Sequence, residues 1–183
     1  MKLVLSVLLL FCSHCIAFSQ DTTCGIIWDE PKLLSDTTHE ASTPKIALTG
    51  DDTVHVVWAG GGVRLPYVRS ENGGADFSPV TELLTDSTVF THSANKPSVL
   101  AWFQNVYVFF QGATPGIYSP IRMIKSTTGG STWQYPVDIS PDTTGPPPET
   151  PTILGDTIVM TYARDLERLE FSVRLTPDIP GQA

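Results

Sequence analysis

Side chains able to do chemistry are sparse in this sequence. It carries six arginines and, past residue 20, three histidines and one cysteine. Arg64 stands before Leu65-Pro66, and Arg164-Asp165-Leu166-Glu167-Arg168 gathers charge in one short run. A guanidinium is a planar fork of donors that grips a carboxylate at two points. Arg64, Arg164, Asp165 and Arg168 are therefore the candidate ligand-binding residues, although a solvated charged loop is the plainer reading of the later run. His39, His55 and His92 lack metal-ligand spacing, so no metal is expected. His55 falls inside an apolar strand, where alternation makes it a face residue. Gly60-Gly61-Gly62 lacks the Lys-Ser/Thr of a phosphate loop and reads as a flexible connection. Nothing points to a cofactor, and no catalytic residue can be assigned.

The elements around these residues begin with MKLVLSVLLLFCSHCIAFSQ. Lys2 is a positive n-region, Leu3 to Phe11 an apolar core, and Ala17-Phe18-Ser19 a small-x-small cleavage site, which together read as a secretory signal over 1–19. The apolar run is broken by Ser13-His14 and is too short to span a bilayer. A secreted, periplasmic or cell-surface protein is expected, with no membrane attachment after cleavage. The remaining chain would hold 10 basic against 19 acidic side chains, a net charge of −9. An acidic chain without a basic cluster is a poor partner for nucleic acid. Cys12 and Cys15 leave with the signal, so Cys24 stands alone and no internal disulfide or zinc cluster can form.

The rest of the chain is a repeat. WDEPKLLSD from Trp28, FSPVTELLTD from Phe77 and WQYPVDISPD from Trp133 align, and each leads through a polar linker into an x-Pro step: TPKIAL, KPSVLA, TPTILG. Pro44, Pro97 and Pro151 are separated by 53 and 54 residues, and Trp58, Phe110 and Tyr162 by 52 both times. Periods of this size mark supersecondary units. TVHVVW and VYVFF are β-branched and aromatic, bounded by Asp51-Asp52 and Gln104-Asn105 as tight turns. A third strand, PYVRS or RMIKS, runs into SENGGADF (70–77) or STTGGSTW (126–133). Four short strands in about 50 residues make one propeller blade. The expected fold is all-β, a β-propeller of four-stranded blades with about three blades present, over 28–76, 77–132 and 133–183.

Those Gly-Gly stretches resemble the Asp box of the sialidase-type BNR repeat, Ser-x-Asp-x-Gly-x-Thr-Trp. Ser126, Gly130, Thr132 and Trp133 match, with Thr128 in place of the Asp; Ser70 and Gly74 match, with Asn72, Asp76 and Phe77 substituting. Physically, Asn72 or Thr128 can accept backbone amides two residues on, glycine takes a positive φ, and the aromatic folds back onto its own blade. The resemblance implies a turn on the outer part of the blade, away from the ligand face, with Arg69 beside it.

It also implies what the chemistry would need. Sialidases use three arginines on the sialate carboxylate, a Tyr nucleophile backed by Glu, and an Asp acid/base, an exception to the two-carboxylate scheme. The first arginine of that family lies two residues before the Pro of the first strand. Here those steps read Ser42-Thr43-Pro44, Asn95-Lys96-Pro97 and Glu149-Thr150-Pro151, none with Arg. Arg64-Leu65-Pro66 has the letters but falls between second and third strands. The resemblance thus favours a carbohydrate-binding or interaction module, its partner a glycan or glycoprotein. An incomplete exo-α-sialidase or related glycoside hydrolase is the alternative, and an assembly module without ligand a third reading. Open blade edges would allow self-association.

Overall fold

The computed structural model describes residues 29–50, 52–61, 64–85, 94–112, 120–140, 151–154, 157–159, 161–165 and 168–171. The expected signal, Cys24, Trp28 and His92 lie outside them. Every regular element described is a β-strand, and no described helix is long and apolar enough to cross a membrane.

Strands β1 (Ala41–Thr49), β2 (Thr53–Gly60), β3 (Pro66–Ser70) and β4 (Thr81–Glu82) form one antiparallel sheet in chain order. A second sheet repeats it with β5 (Ala94–Trp102), β6 (Asn105–Gly112), β7 (Ile121–Ser126) and β8 (Val137–Asp138). Two strand pairs follow, β9 (Thr152–Leu154) with β10 (Thr157–Val159) and β11 (Thr161–Asp165) with β12 (Arg168–Phe171). Even the irregularities repeat. A bulge interrupts β1 between Ser42 and Lys45 and β5 between Asn95 and Ser98, each astride its x-Pro step. Proline cannot donate to the ladder, so the strand must step around it.

Register follows the spacing read from the sequence. Leu48 faces Val54 in the first sheet and Ala101 faces Val106 in the second, while Val57 faces Tyr67 and Phe109 faces Met123. Trp58 and Phe110 thus hold the same place in their sheets. Tyr162, opposite Glu170, continues the series in backbone register.

Alternation along β2 and β6 gives each strand two apolar faces, because both are covered on both sides. Val57, Leu65, Tyr67, Leu83 and Leu84 of the first sheet meet Val99, Val106, Val108, Phe110 and Ile124 of the second in one core. The opposite face of the second sheet, with Tyr107, Phe109 and Ile121, packs against Ile153 and Ile158. Val54, Val56, Trp58 and Val68 line the far face of the first sheet under Leu34 and Phe77. The elements therefore stack as successive layers. Burying each such aliphatic or aromatic side chain contributes about 1.5–3 kcal/mol.

Candidate functional site

The two Gly-Gly turns share one hydrogen-bond scheme. Ser70 Oγ accepts the amides of Asn72 (3.3 Å) and Gly74 (2.8 Å), and Ser126 Oγ those of Thr128 (3.2 Å) and Gly130 (2.9 Å). Asn72 Oδ1 then accepts the Asp76 amide at 2.8 Å, and Thr128 Oγ1 the Thr132 amide at 2.9 Å. The residue at the Asp position thus reaches four residues on, and it is the serine that takes the amide two residues on. Gly73, Gly74, Gly129 and Gly130 all lie at φ between 62° and 91°, which L side chains rarely adopt.

These turns do more than close a strand pair. Tyr67, on the first sheet, points its hydroxyl at Gly130 in the second sheet's turn, close enough that a Cβ there would overlap it and stand 2.8 Å from Tyr67 Cζ. Trp133 meets the same ring edge-on at 4.8 Å between centroids. Arg69 Nη1 donates to the Gly129 carbonyl at 3.0 Å, and Nη2 pairs with Glu71 at 2.8 Å. Phe77 folds onto its own sheet, as expected. Trp133 instead packs into the core shared by both sheets, and Arg69 bridges them rather than standing outside. The reason is the layering: a turn at the end of one sheet is the surface on which its neighbour rests.

His55 completes this junction. It is fully buried; its Nε2 is 2.8 Å from Thr49 Oγ1 and its Nδ1 is 2.8 Å from the Tyr67 hydroxyl. Burial, with the nearby Arg69 charge adding to it, holds the imidazole neutral, its pKa lowered from 6.5 to about 4. Burial also pushes the Tyr67 hydroxyl above its ordinary range. A neutral imidazole has one donor and one acceptor nitrogen, and two hydroxyls satisfy both. This is a structural polar network, invisible to spacing because its members come from three strands and a neighbouring turn.

Arg64 lies at the other end of the first sheet, at the Gly60–Arg64 bridge. Its guanidinium is already held, Nε at 3.2 Å from Glu82 Oε2 and Nη2 at 3.5 Å from Asp36 Oδ2. Glu82 also accepts the Leu65 amide, and Asp36 Oδ1 accepts the amides of Thr38 (3.0 Å) and His39 (2.9 Å). Hydrogen bonds from the His39 and Thr38 side chains keep the Asp36 carboxyl well below the usual carboxylate range. The cleft among these residues measures only about 10 Å³. Gly60 and Gly61 are pinned by amide bonds to the Arg64 carbonyl (3.1 Å) and the Glu40 carbonyl (3.0 Å), so this is a tight corner and not the flexible connection expected. Arg164 and Asp165 close β11 and Arg168 opens β12, with Asp165 opposite Arg168. They occupy strand ends rather than a free loop, because the ladder continues almost to the turn, and nothing described brings them to Arg64. Among the described residues no group of His, Cys, Asp and Glu could hold a metal.

Room for a ligand is found where sequence reasoning did not place it. A groove of about 450 Å³ runs between the β1–β2 and β5–β6 turns, floored by Leu48, Ala101, Trp102 and Phe103 with Thr49, Thr53 and Gln104 among its polar groups. That volume lies in the range of small-molecule sites. Its lining carries no charged side chain. Phe103 is 63% exposed, its ring 5.2 Å from that of Trp102, and its backbone sits at φ 51°. Gly50 takes the same corner in the first sheet at φ 59°. The tight turn of the second sheet is thus Phe103-Gln104, since Trp102 pairs with Asn105 and Asn105 already belongs to β6. A bulky residue in a conformation suited to glycine was the one signal available, and it needed the repeat register to be seen.

No protein-family model and no curated protein sequence matches the chain. Among solved structures it is similar to a family 117 glycoside hydrolase produced by the marine bacterium Zobellia galactanivorans, with a TM-score of 0.52 and 14% identity over 74% of this chain. The match covers 56% of that protein, so this chain spans little more than half of its length. At this identity the likeness is one of fold.

Proposed function

We propose that the chain is a carbohydrate-binding segment of a secreted, sialidase-like BNR-repeat β-propeller, without a complete catalytic set of its own. The observation that carries this is Phe103. A non-glycine residue in the left-handed region costs about 1–3 kcal/mol, and such strain concentrates at functional sites. Here the strain leaves an aromatic ring exposed beside Trp102 over an uncharged groove. Pyranose rings present C–H faces that pack on aromatic rings, while hydroxyls such as those of Thr49 and Thr53 and the Gln104 amide serve the sugar oxygens. An uncharged lining suits a neutral glycan and offers nothing to a sialate carboxylate.

Fold likeness to a glycoside hydrolase and the shared scheme of the two Gly-Gly turns support the propeller reading. Hydrolysis is a different matter. It needs a protonated acid and a second carboxylate flanking the glycosidic bond. Neither lines the groove, and Asp36 is held charged beside an Arg64 that is already paired. Titrating the purified protein with a panel of neutral and sialylated oligosaccharides, followed by tryptophan fluorescence, tests the reading. Saturable binding of a neutral glycan, lost in Trp102→Ala, is expected, together with no turnover of a fluorogenic sialoside. Turnover above a heat-killed control that Arg64→Ala abolishes would establish the enzyme instead.

A further inference from the structure

The stack of sheets ends in two faces that the internal repeat marks as unfilled. Ile46 pairs with Val56 and Leu48 with Val54, as Val99 pairs with Val108 and Ala101 with Val106. Val99 is only 7% exposed and Ala101 packs in the same core, because the first sheet covers them. Ile46 and Leu48, at the same register positions one layer earlier, are 65% and 66% exposed. The turn beside them tells the same story. Gly130 receives the Tyr67 hydroxyl from the covering sheet, whereas a Cβ on Gly74 would meet only the Phe77 ring, at 3.8 Å.

At the other end of the stack, β9 and β10 turn Ile153 and Ile158 onto the second sheet. Leu154, the next residue of β9, points the other way and is 72% exposed. That outer side carries the register of the side by which the first sheet covers the second. Thr161 faces Phe171 as Val57 faces Tyr67, which gives Phe171 the backbone position of the docking tyrosine.

We infer that these two faces fit each other between copies: the C-terminal strands of one chain cover the bare face of the first sheet in a second copy. The contact would reuse, between molecules, the packing already seen between the first and second sheets. It is heterologous, one kind of surface meeting another, and two copies satisfy both ends if the rotation closes. Exposed aliphatics at both ends, in a molecule whose intervening layers bury theirs, are what such an assembly removes from water.

Light scattering on the purified protein across micromolar concentrations reads the association. A species of twice the monomer mass is expected, and Ile46→Lys or Leu154→Lys should each weaken it at least tenfold. Both side chains already stand in water, so melting temperatures should hold, and Ile46 lies outside the aromatic groove. Mixing the two variants discriminates further. One intact Leu154 end then meets one intact Ile46 end, so the mixture should recover association that neither variant shows alone. A wild-type protein that stays monomeric, or an Ile46→Lys variant that associates unchanged, would overturn the inference, as would a mixture with no recovery.

Discussion

Gly130→Ala and Gly74→Ala place the same methyl at the same point of two turns with one hydrogen-bond scheme, yet they should differ sharply in cost. Both glycines hold positive φ, 85° and 91°. Alanine there is strained by about 1–2 kcal/mol in either turn. At Gly74 little else happens, since the nearest atoms are of the Phe77 ring at 3.8 Å. At Gly130 the methyl overlaps the Tyr67 hydroxyl and crowds Cζ at 2.8 Å. Tyr67 is 1% exposed, so it can yield only by displacing its surroundings. Forced overpacking typically costs about 1–3 kcal/mol, and losing the bond to His55 about 1 more. The expected totals are roughly 3–6 kcal/mol for Gly130→Ala and 1–2 for Gly74→Ala. Urea unfolding monitored by fluorescence measures both, provided the m-value is unchanged. Tyr67→Phe, which removes the overlapping oxygen, should cost less in the Gly130→Ala background than in the wild type, a coupling that a double-mutant cycle detects. Equal losses at the two glycines, or no coupling, would mean that the turn does not seat the neighbouring sheet.

Three further outcomes follow from the same junction. His55 is neutral in the fold and would take up a proton near pH 6.5 when unfolded, so stability should be complete above pH 6.5 and fall by about 3 kcal/mol as pH drops to 4, at 1.36 kcal/mol per pH unit; urea midpoints across that window check it, and His55→Gln should flatten the slope. Trp133 Nε1 is buried with no acceptor among the described residues, so Trp133→Phe should cost under about 1.5 kcal/mol while Trp133→Ala costs about 3–5, read from thermal unfolding. Ser70→Ala and Ser126→Ala each strip an acceptor from two turn amides and should lose about 1–3 kcal/mol in the same assay.

The architecture was legible because a repeat writes its own register. The spacing of Pro44 and Pro97 became two bulges, and that of Trp58 and Phe110 became one position in two sheets. Both turns were found from Ser, Gly and a closing aromatic, because these residues act within eight positions of each other. What escaped was every contact between layers. Nothing local says that Tyr67 rests on Gly130, that Arg69 reaches the Gly129 carbonyl, or that a histidine will be buried neutral among hydroxyls. Arg64 looked available as a ligand group because its partners, Asp36 and Glu82, stand 28 and 18 residues away. The groove escaped for a related reason: it is built by two turns from different repeats, and the strain at Phe103 is a property of the backbone.

Phe103→Gly tests the central claim most directly. It removes the exposed ring and supplies the residue that the first sheet already uses at this corner, Gly50. Relief of the left-handed strain should hold the melting temperature or raise it, by up to about 1 kcal/mol of stability. Titration of wild type and variant with the neutral glycan that binds best should show affinity falling at least tenfold in a protein no less stable. Unchanged affinity would contradict the account, because the strained aromatic would then have no part in holding a sugar.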